Sequence, residues 1–330
     1  MVNPAEFFSV RTKKDFEKKS LSVFYLQAEK NEVYKSYLSQ IGIDPEKIQS
    51  VSQIPFLPIE IFKTQEVITG TRHSASGIQH VFHSSGTTGT ERSRHYVLDI
   101  SIYEKSFQKC FELFFGKANQ YAILAILPSY YENKHSSLMY MVMDLIRNSR
   151  NKYSSFYNSK DENLQQIIET LLKQKQKTIL FGVSSALLDL PYNKTKSSKD
   201  LLVIETGGMK GRREELTREE LHATLCDKFG VKNIYSEYGM TELLSQAYST
   251  GKGIFKCPPW MKVLARDAND PFQLLPYEKT GALNIIDLAN INSCSFIATQ
   301  DVGKIYKDGS FEMLGRMDNS DLRGCNLLAL

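Results

Sequence analysis

Three short, almost wholly apolar runs, YAILAILP (121–128), TILFGV (178–183) and LLVIE (201–205), alternate with helical patterns, and this constrains the fold more than any other feature. Runs of five to eight such residues suit strands buried on both faces. Between them, DENLQQIIETLLKQ sets Leu164, Ile167, Ile168, Leu171 and Leu172 at the spacing of one helical face. Thr217 and Glu220 form a capping box that opens REELHATLCDKFG, and Gly230 closes it. The alternation predicts an α/β fold around a largely parallel sheet. GKIYKDGSFEML turns at Asp308-Gly309, so the chain should finish in antiparallel β-structure. The start reads as helical, with Phe16, Val23, Phe24 and Leu26 among charged residues, until Pro55 and Pro58 in IPFLPIEIFK forbid a continuing helix. No repeat, low-complexity tract or long linker interrupts the chain, which favours one contiguous domain.

With 42% apolar and 24% charged residues, 330 residues can bury a sizeable core. The net charge of +4 is spread over short runs such as KQKQK that alternate with polar or acidic residues, a pattern of solvated faces rather than a nucleic-acid surface. The five cysteines, Cys110, Cys226, Cys257, Cys294 and Cys325, include no C-x-x-C pair, which argues for reduced thiols and against zinc or a disulfide framework. With neither a signal-like apolar region nor a membrane-length apolar run, the chain is expected to be soluble and cytoplasmic.

The run Ser84, Ser85, Gly86, Thr87, Thr88, Gly89 and Thr90 is entirely hydroxylic or glycine. Glycine accepts unusual backbone angles and the hydroxyls add donors, so such a run can gather N–H groups around an anion, phosphate above all. It lacks the lysine of the Walker loop and the spacing of the dinucleotide fingerprint, and its flanks, IQHVFH and RHYVLD, both read as extended. Further on, IYSEYGMTELLSQAY groups Tyr238, Gly239, Thr241 and Glu242 after a short strand: an aromatic face, a hydroxyl and a carboxylate within one turn. Mg²⁺ bound with a triphosphate takes one or two such carboxylates. TQDVGKIYKDGSFEMLGRMDNSDLRG then supplies Asp301, Arg316 and Asp318 around the hairpin.

In this order and at this spacing, S-S-G-T-T-G, Y-G-M-T-E and D…G-R-x-D…R-G resemble the motifs of the adenylate-forming superfamily, which includes acyl-CoA synthetases, firefly luciferase and peptide-synthetase adenylation domains. The resemblance runs from about Pro55 to the C-terminus. IPFLPIEIFK, LPSYYENKHSSLMYMV, ETGGMKGRR and the ending after LRGCNLL are similar to the LuxE-type acyl-protein synthetase branch, related to phenylacetate-CoA ligases. This implies a large domain over 1–316, with stacked sheets flanked by helices and a small β-barrel-like section, and a short tail over 317–330 in place of the superfamily's mobile small domain.

The resemblance also implies ATP- and Mg²⁺-dependent activation of a carboxylic acid, expected to be fatty, to acyl-AMP. On this basis Ser84 to Thr90 would cradle the β and γ phosphates, and Tyr238 would stack on adenine with Gly207 and Gly208 along its other side. Gly239 belongs to the same nucleotide motif. Thr241 would bond the α-phosphate, Glu242 would hold Mg²⁺, Asp301 would accept the ribose hydroxyls, and Arg316 would sit by ribose and phosphate. The superfamily's loop usually ends in Pro-Lys; here Arg92 or Arg94 is expected to supply the cation. On this resemblance the small domain's essential lysine is expected to lack a counterpart, so that either another cation takes its role or rate is sacrificed. In this branch the acyl group moves to a cysteine near the C-terminus, for which Cys325 is the candidate, and then to a partner such as an acyl reductase. His83 and His135 could support the phosphates and line the carboxylate pocket, or could simply pack. Two alternatives stand: delivery to CoA or a carrier protein without self-acylation, and a weakly active nucleotide-binding subunit of a biosynthetic complex.

Overall fold

The structure is a computed structural model and describes residues 4–70, 77–84, 91–128, 135–161, 163–192, 198–207 and 216–317. Helices α1 (Lys13–Lys30) and α2 (Glu32–Gln40) come first, followed by strand β1 (Leu57–Pro58), helix α3 (Ile61–Thr64) and strands β2 (His80–His83) and β3 (Arg94–Val97). An alternating section follows: α4 (Ile100–Phe115), β4 (Ala122–Ile126), α5 (Ser137–Ser149), β5 (Ser155–Phe156), α6 (Leu164–Lys173), β6 (Thr178–Val183), α7 (Ser184–Asp189), β7 (Leu201–Thr206), α8 (Arg218–Phe229) and β8 (Ile234–Tyr238). The remaining strands are β9 (Ala247–Ser249), β10 (Ile254–Lys256), β11 (Met261–Arg266), β12 (Thr280–Asp287), β13 (Phe296–Ile305) and β14 (Phe311–Arg316). The chain divides into two compact units, one drawn from residues 1–81, 86–102 and 259–330 and the other from 82–85 and 103–258.

In the second unit, the apolar runs form the parallel core of a sheet ordered β10-β9-β8-β7-β6-β4-β5. Leu124, Leu180, Val203 and Ile234 lie side by side across four strands, each almost fully buried. Leu164, Ile168 and Leu171 of α6 and Leu221, Leu225 and Phe229 of α8 join the same core, each such burial worth about 2 kcal/mol. The capping box at Thr217 is made, and Gly230 ends α8 in the left-handed conformation at φ +65°. Strand β9 runs antiparallel to β8, with Ala247 opposite Tyr238. The intervening reversal therefore carries Gly239, Thr241 and Glu242 at the carboxyl end of the strands, where open α/β sheets place their ligands.

In the first unit, β11-β12-β13-β14 form an antiparallel sheet to which β1 adds in parallel against β13. The expected hairpin closes this sheet, Gly309 supplying φ +84° at its turn. Phe24 of α1, Tyr34 of α2 and Phe56 surround Phe296 with ring centroids 6.1–6.2 Å apart. Polar ties accompany this packing. Gln27 Nε2 donates to the carbonyls of Asn290 and Ile291 and its Oε1 accepts from Ser295 N–H, while Asn31 donates to the Ser293 carbonyl. Among the described residues, no helix is long and apolar enough to cross a membrane.

Candidate active site

The end of β7 turns through Gly207 at φ +67°, an exposed position where a side chain would have room but unfavourable backbone angles. The Ser184 hydroxyl, at the start of α7, lies 2.8 Å from both the Glu205 carboxylate and the Gly207 carbonyl and shares its one proton between them. Glu205 is almost fully buried, yet Arg218 Nη1 stands 3.1 Å away and His222 Nε2 3.5 Å away. Burial pushes its carboxyl upward, but the His222 hydrogen bond, the Arg218 charge and the Ser236 and Ser184 hydroxyls together hold it below the usual range. The Arg218 guanidinium also lies 5.2 Å from the centre of the Phe255 ring.

On the neighbouring strand, Glu237 is also buried, but among different partners. Burial raises its carboxyl to about 7; the hydrogen bond from the Thr206 hydroxyl opposes this and the Glu205 charge adds to it. A Cβ on Gly239 would lie 2.6 Å from Glu237 Oε1, so a larger residue there would make the carboxyl or the turn shift. Tyr238 is buried, edge-on to Phe255 with centroids 6.0 Å apart. Beyond it, Gly239 is exposed, Thr241 is half-buried and Glu242 is buried.

Within the same unit the histidines near two motifs meet. The His83 and His135 rings stack with centroids 4.8 Å apart, and His83 N–H donates to the His135 carbonyl at 2.9 Å. Phe82 packs edge-on to Tyr103 and Tyr140, so β2 enters the hydroxyl and glycine run from an aromatic anchor. Ser84 is half-buried; Ser85, Gly86, Thr87, Thr88, Gly89 and Thr90 lie outside the described residues, as do Gly208, Asp318 and Cys325.

In the first unit, Asp301 and Arg316 are direct cross-strand partners, Nε 3.0 Å from Oδ1. The Asp301 side chain is only 6% exposed and that of Arg316 62%. Arg94 is half-buried and donates to the Lys63 carbonyl at 3.3 Å, whereas Arg92 is exposed.

The donor set fits Mg²⁺ bound together with phosphates, since Glu242 brings one buried carboxylate and the nucleotide would supply most of the remaining oxygens. Among the described residues, no group of three or more His, Cys, Asp or Glu gathers to hold an ion alone. Sequence reasoning missed Glu205, Arg218, His222 and Glu237. For Glu205 and Glu237 the available signal was charge inside strands otherwise apolar, which demands burial with partners or a neutral form; Arg218 and His222 lie on α8 and carried no such signal.

A mixed α/β fold with a large sheet and flanking helices matches the large domains of adenylate-forming ligases. An open form of 2-hydroxyisobutyryl-CoA ligase with 2-HIB-AMP and CoA superposes with a TM-score of 0.66 at 11% identity, over 93% of this chain and 70% of that one. ATP-bound MatB from Rhodopseudomonas palustris gives 0.52 at 17% identity, over 75% of this chain and 50% of that one. An ATP-bound RpMatB-BxBclM chimera gives 0.53 at 17% identity, over 74% and 49%. The chain thus spans about half the length of MatB and the chimera. The family of acyl-protein synthetases, LuxE, matches residues 2–329, and the chain belongs to it. No curated protein matches the sequence significantly.

Proposed function

We propose that this protein uses ATP to activate a carboxylic acid, expected to be fatty, as acyl-AMP, and transfers the acyl group to Cys325 and on to a partner such as an acyl reductase. The observation that carries this reading is the family match over nearly the whole chain. A carboxylate oxygen attacks the α-phosphorus, the bond to the β-phosphate oxygen breaks, and pyrophosphate leaves. Ser84 to Thr90 hold the β and γ phosphates, and Thr241 bonds the α-phosphate. Tyr238 offers its ring to adenine, beside the turn at Gly207 and Gly208. Asp301 accepts the ribose hydroxyls, and the Arg316 guanidinium suits ribose and phosphate oxygens. Mg²⁺, held by Glu242, would neutralise charge on the leaving phosphates. The protein's contribution to this step is orientation and electrostatics.

In the second step the Cys325 thiolate attacks the acyl carbonyl carbon, the carbon–oxygen bond to AMP breaks, and AMP leaves. The thiol proton goes to solvent, and Arg323, two residues away, favours the thiolate. Intact-protein mass spectrometry after incubation with ATP, Mg²⁺ and a panel of acids tests both steps, on wild type and Cys325→Ser. A hydroxylamine-labile acyl adduct on wild type alone is expected. Pyrophosphate release without any adduct would remove the cysteine step and favour an external thiol such as CoA. Absence of acid-dependent pyrophosphate with every acid tried would count against the activation step itself.

A further inference from the structure

We propose that Glu205 and Glu237 are positioning residues for the nucleotide, which fix the turns at Gly207 and Gly239 from opposite faces of the sheet. The inference rests on the nucleotide site argued above.

Strands β7 and β8 run in parallel with Glu205 beside Ser236 and Thr206 beside Glu237. Neighbours in register share a face, so Glu205 and Glu237 point to opposite sides. Each carboxyl then reaches forward along its own face to the glycine two residues on. On one face, Ser184 bridges the Glu205 carboxylate to the Gly207 carbonyl, while Arg218 and His222 of α8 hold that carboxylate in place. On the other, Thr206 bonds Glu237, whose Oε1 lies against Gly239 where a Cβ would otherwise sit. Tyr238, between Glu237 and Gly239, shares the Glu205 face, as Gly207 does. The adenine slot expected between Tyr238 and the Gly207 turn is therefore braced at both walls by buried acids that would not touch the nucleotide.

The two acids differ in charge. Glu205 has cationic and hydroxyl partners and is held ionised. Among the described residues, the titratable groups facing Glu237 are Tyr103 of α4, Tyr248 of β9 and Glu205 itself, and Thr206 adds only a hydroxyl. With no cation among these partners, Glu237 is favoured as the neutral acid up to about pH 7. Ionising it puts a negative charge, which none of these described partners offsets, behind the turn that leads to Thr241 and Glu242.

Equilibrium binding of Mg²⁺-ATP to the full chain at pH 6 and pH 8 tests this, alongside melting midpoints, in wild type, Glu237→Gln and Ser184→Ala. Glutamine is neutral at both values, and all three proteins meet the same titration of ATP itself, so the comparison isolates the carboxyl. Glu237→Gln should bind within about twofold of wild type at pH 6, and wild type should lose about tenfold more affinity than this variant between pH 6 and pH 8. Ser184→Ala should weaken ATP about tenfold at both values. A purely structural role would lower melting midpoints without separating the pH profiles. Should Glu237→Gln fail to fold, Thr206→Val removes only the hydroxyl and should weaken ATP binding about tenfold. ATP binding by wild type, with parallel pH profiles and unchanged affinity in the hydroxyl variants, overturns this inference alone. No ATP binding by wild type overturns the nucleotide site and the inference together.

Discussion

Arg316 places its Nε 3.0 Å from Asp301 Oδ1 because a bulge between Val302 and Gly303 shifts the hairpin register by one residue. Without that shift, the pairing of Gly303 with Met313 would continue to set Asp301 opposite Gly315. The side chain of Arg316 is mostly exposed, so the pair itself contributes no more than about 1 kcal/mol to folding. Arg316→Ala should therefore barely move the melting midpoint while weakening ATP binding about tenfold, the loss expected for a charge-assisted contact. Asp301→Asn should likewise weaken ATP and show less preference for ATP over 2′-deoxy-ATP. A large loss of stability with unchanged nucleotide affinity would make the pair structural.

The two buried glutamates make opposite contributions to stability as pH changes. Burial raises the Glu237 carboxyl in the folded protein to about 7, from the ordinary 4.5 of an exposed glutamate, so between about pH 4.5 and 7 the native state holds a proton that the unfolded chain has released. Stability is lost as pH rises through that window, by about 3 kcal/mol in total. Glu205 is held below 4.5, so its contribution is present above that value and lost as pH falls through its folded value. Urea unfolding at pH 5 and pH 8 should show a larger decline in wild type than in Glu237→Gln. Equal declines would mean Glu237 ionises freely in the folded protein.

How much of this was legible in the sequence depended on how local the signal was. The parallel strands followed from unbroken apolar runs, α8 from Thr217, Glu220 and Gly230, and the final hairpin from Asp308-Gly309, each read within a few residues. The grouping of Asp301 with Arg316 followed from the same turn, although the bulge that aligns them did not. The Glu205 brace is assembled from α7, α8 and β8, so no local pattern could specify its partners. The stacking of His83 on His135 similarly depends on where two distant segments are delivered.

Gly207 and Gly239 differ in what a methyl group would meet. Alanine at Gly207 finds nothing within 4 Å but must adopt φ +67°, a strain of about 1–2 kcal/mol. Alanine at Gly239 instead puts its Cβ 2.6 Å from Glu237 Oε1, and either the carboxyl or the turn must shift. Gly239→Ala should weaken ATP binding by more than tenfold, and adding Glu237→Ala should recover part of that loss by removing the obstructing carboxyl. In a double-mutant cycle, strict additivity of the two substitutions would show that the contact does not govern the turn.

The amino-terminal helix offers a test of folding separate from the site. Gln27 is fully buried in α1 and satisfies the Asn290 and Ile291 carbonyls and the Ser295 N–H. Gln27→Ala would leave these groups buried without that partner, at a cost of about 3 kcal/mol. Glu29, two residues on, is exposed and among the described residues pairs with the neighbouring Lys30, so Glu29→Ala should leave stability close to that of wild type. Denaturant unfolding of the two variants checks the contrast. Equal stabilities would mean that α1 is held to the β12–β13 connection by its apolar contacts around Phe24 and Phe296, with the buried amide contributing little.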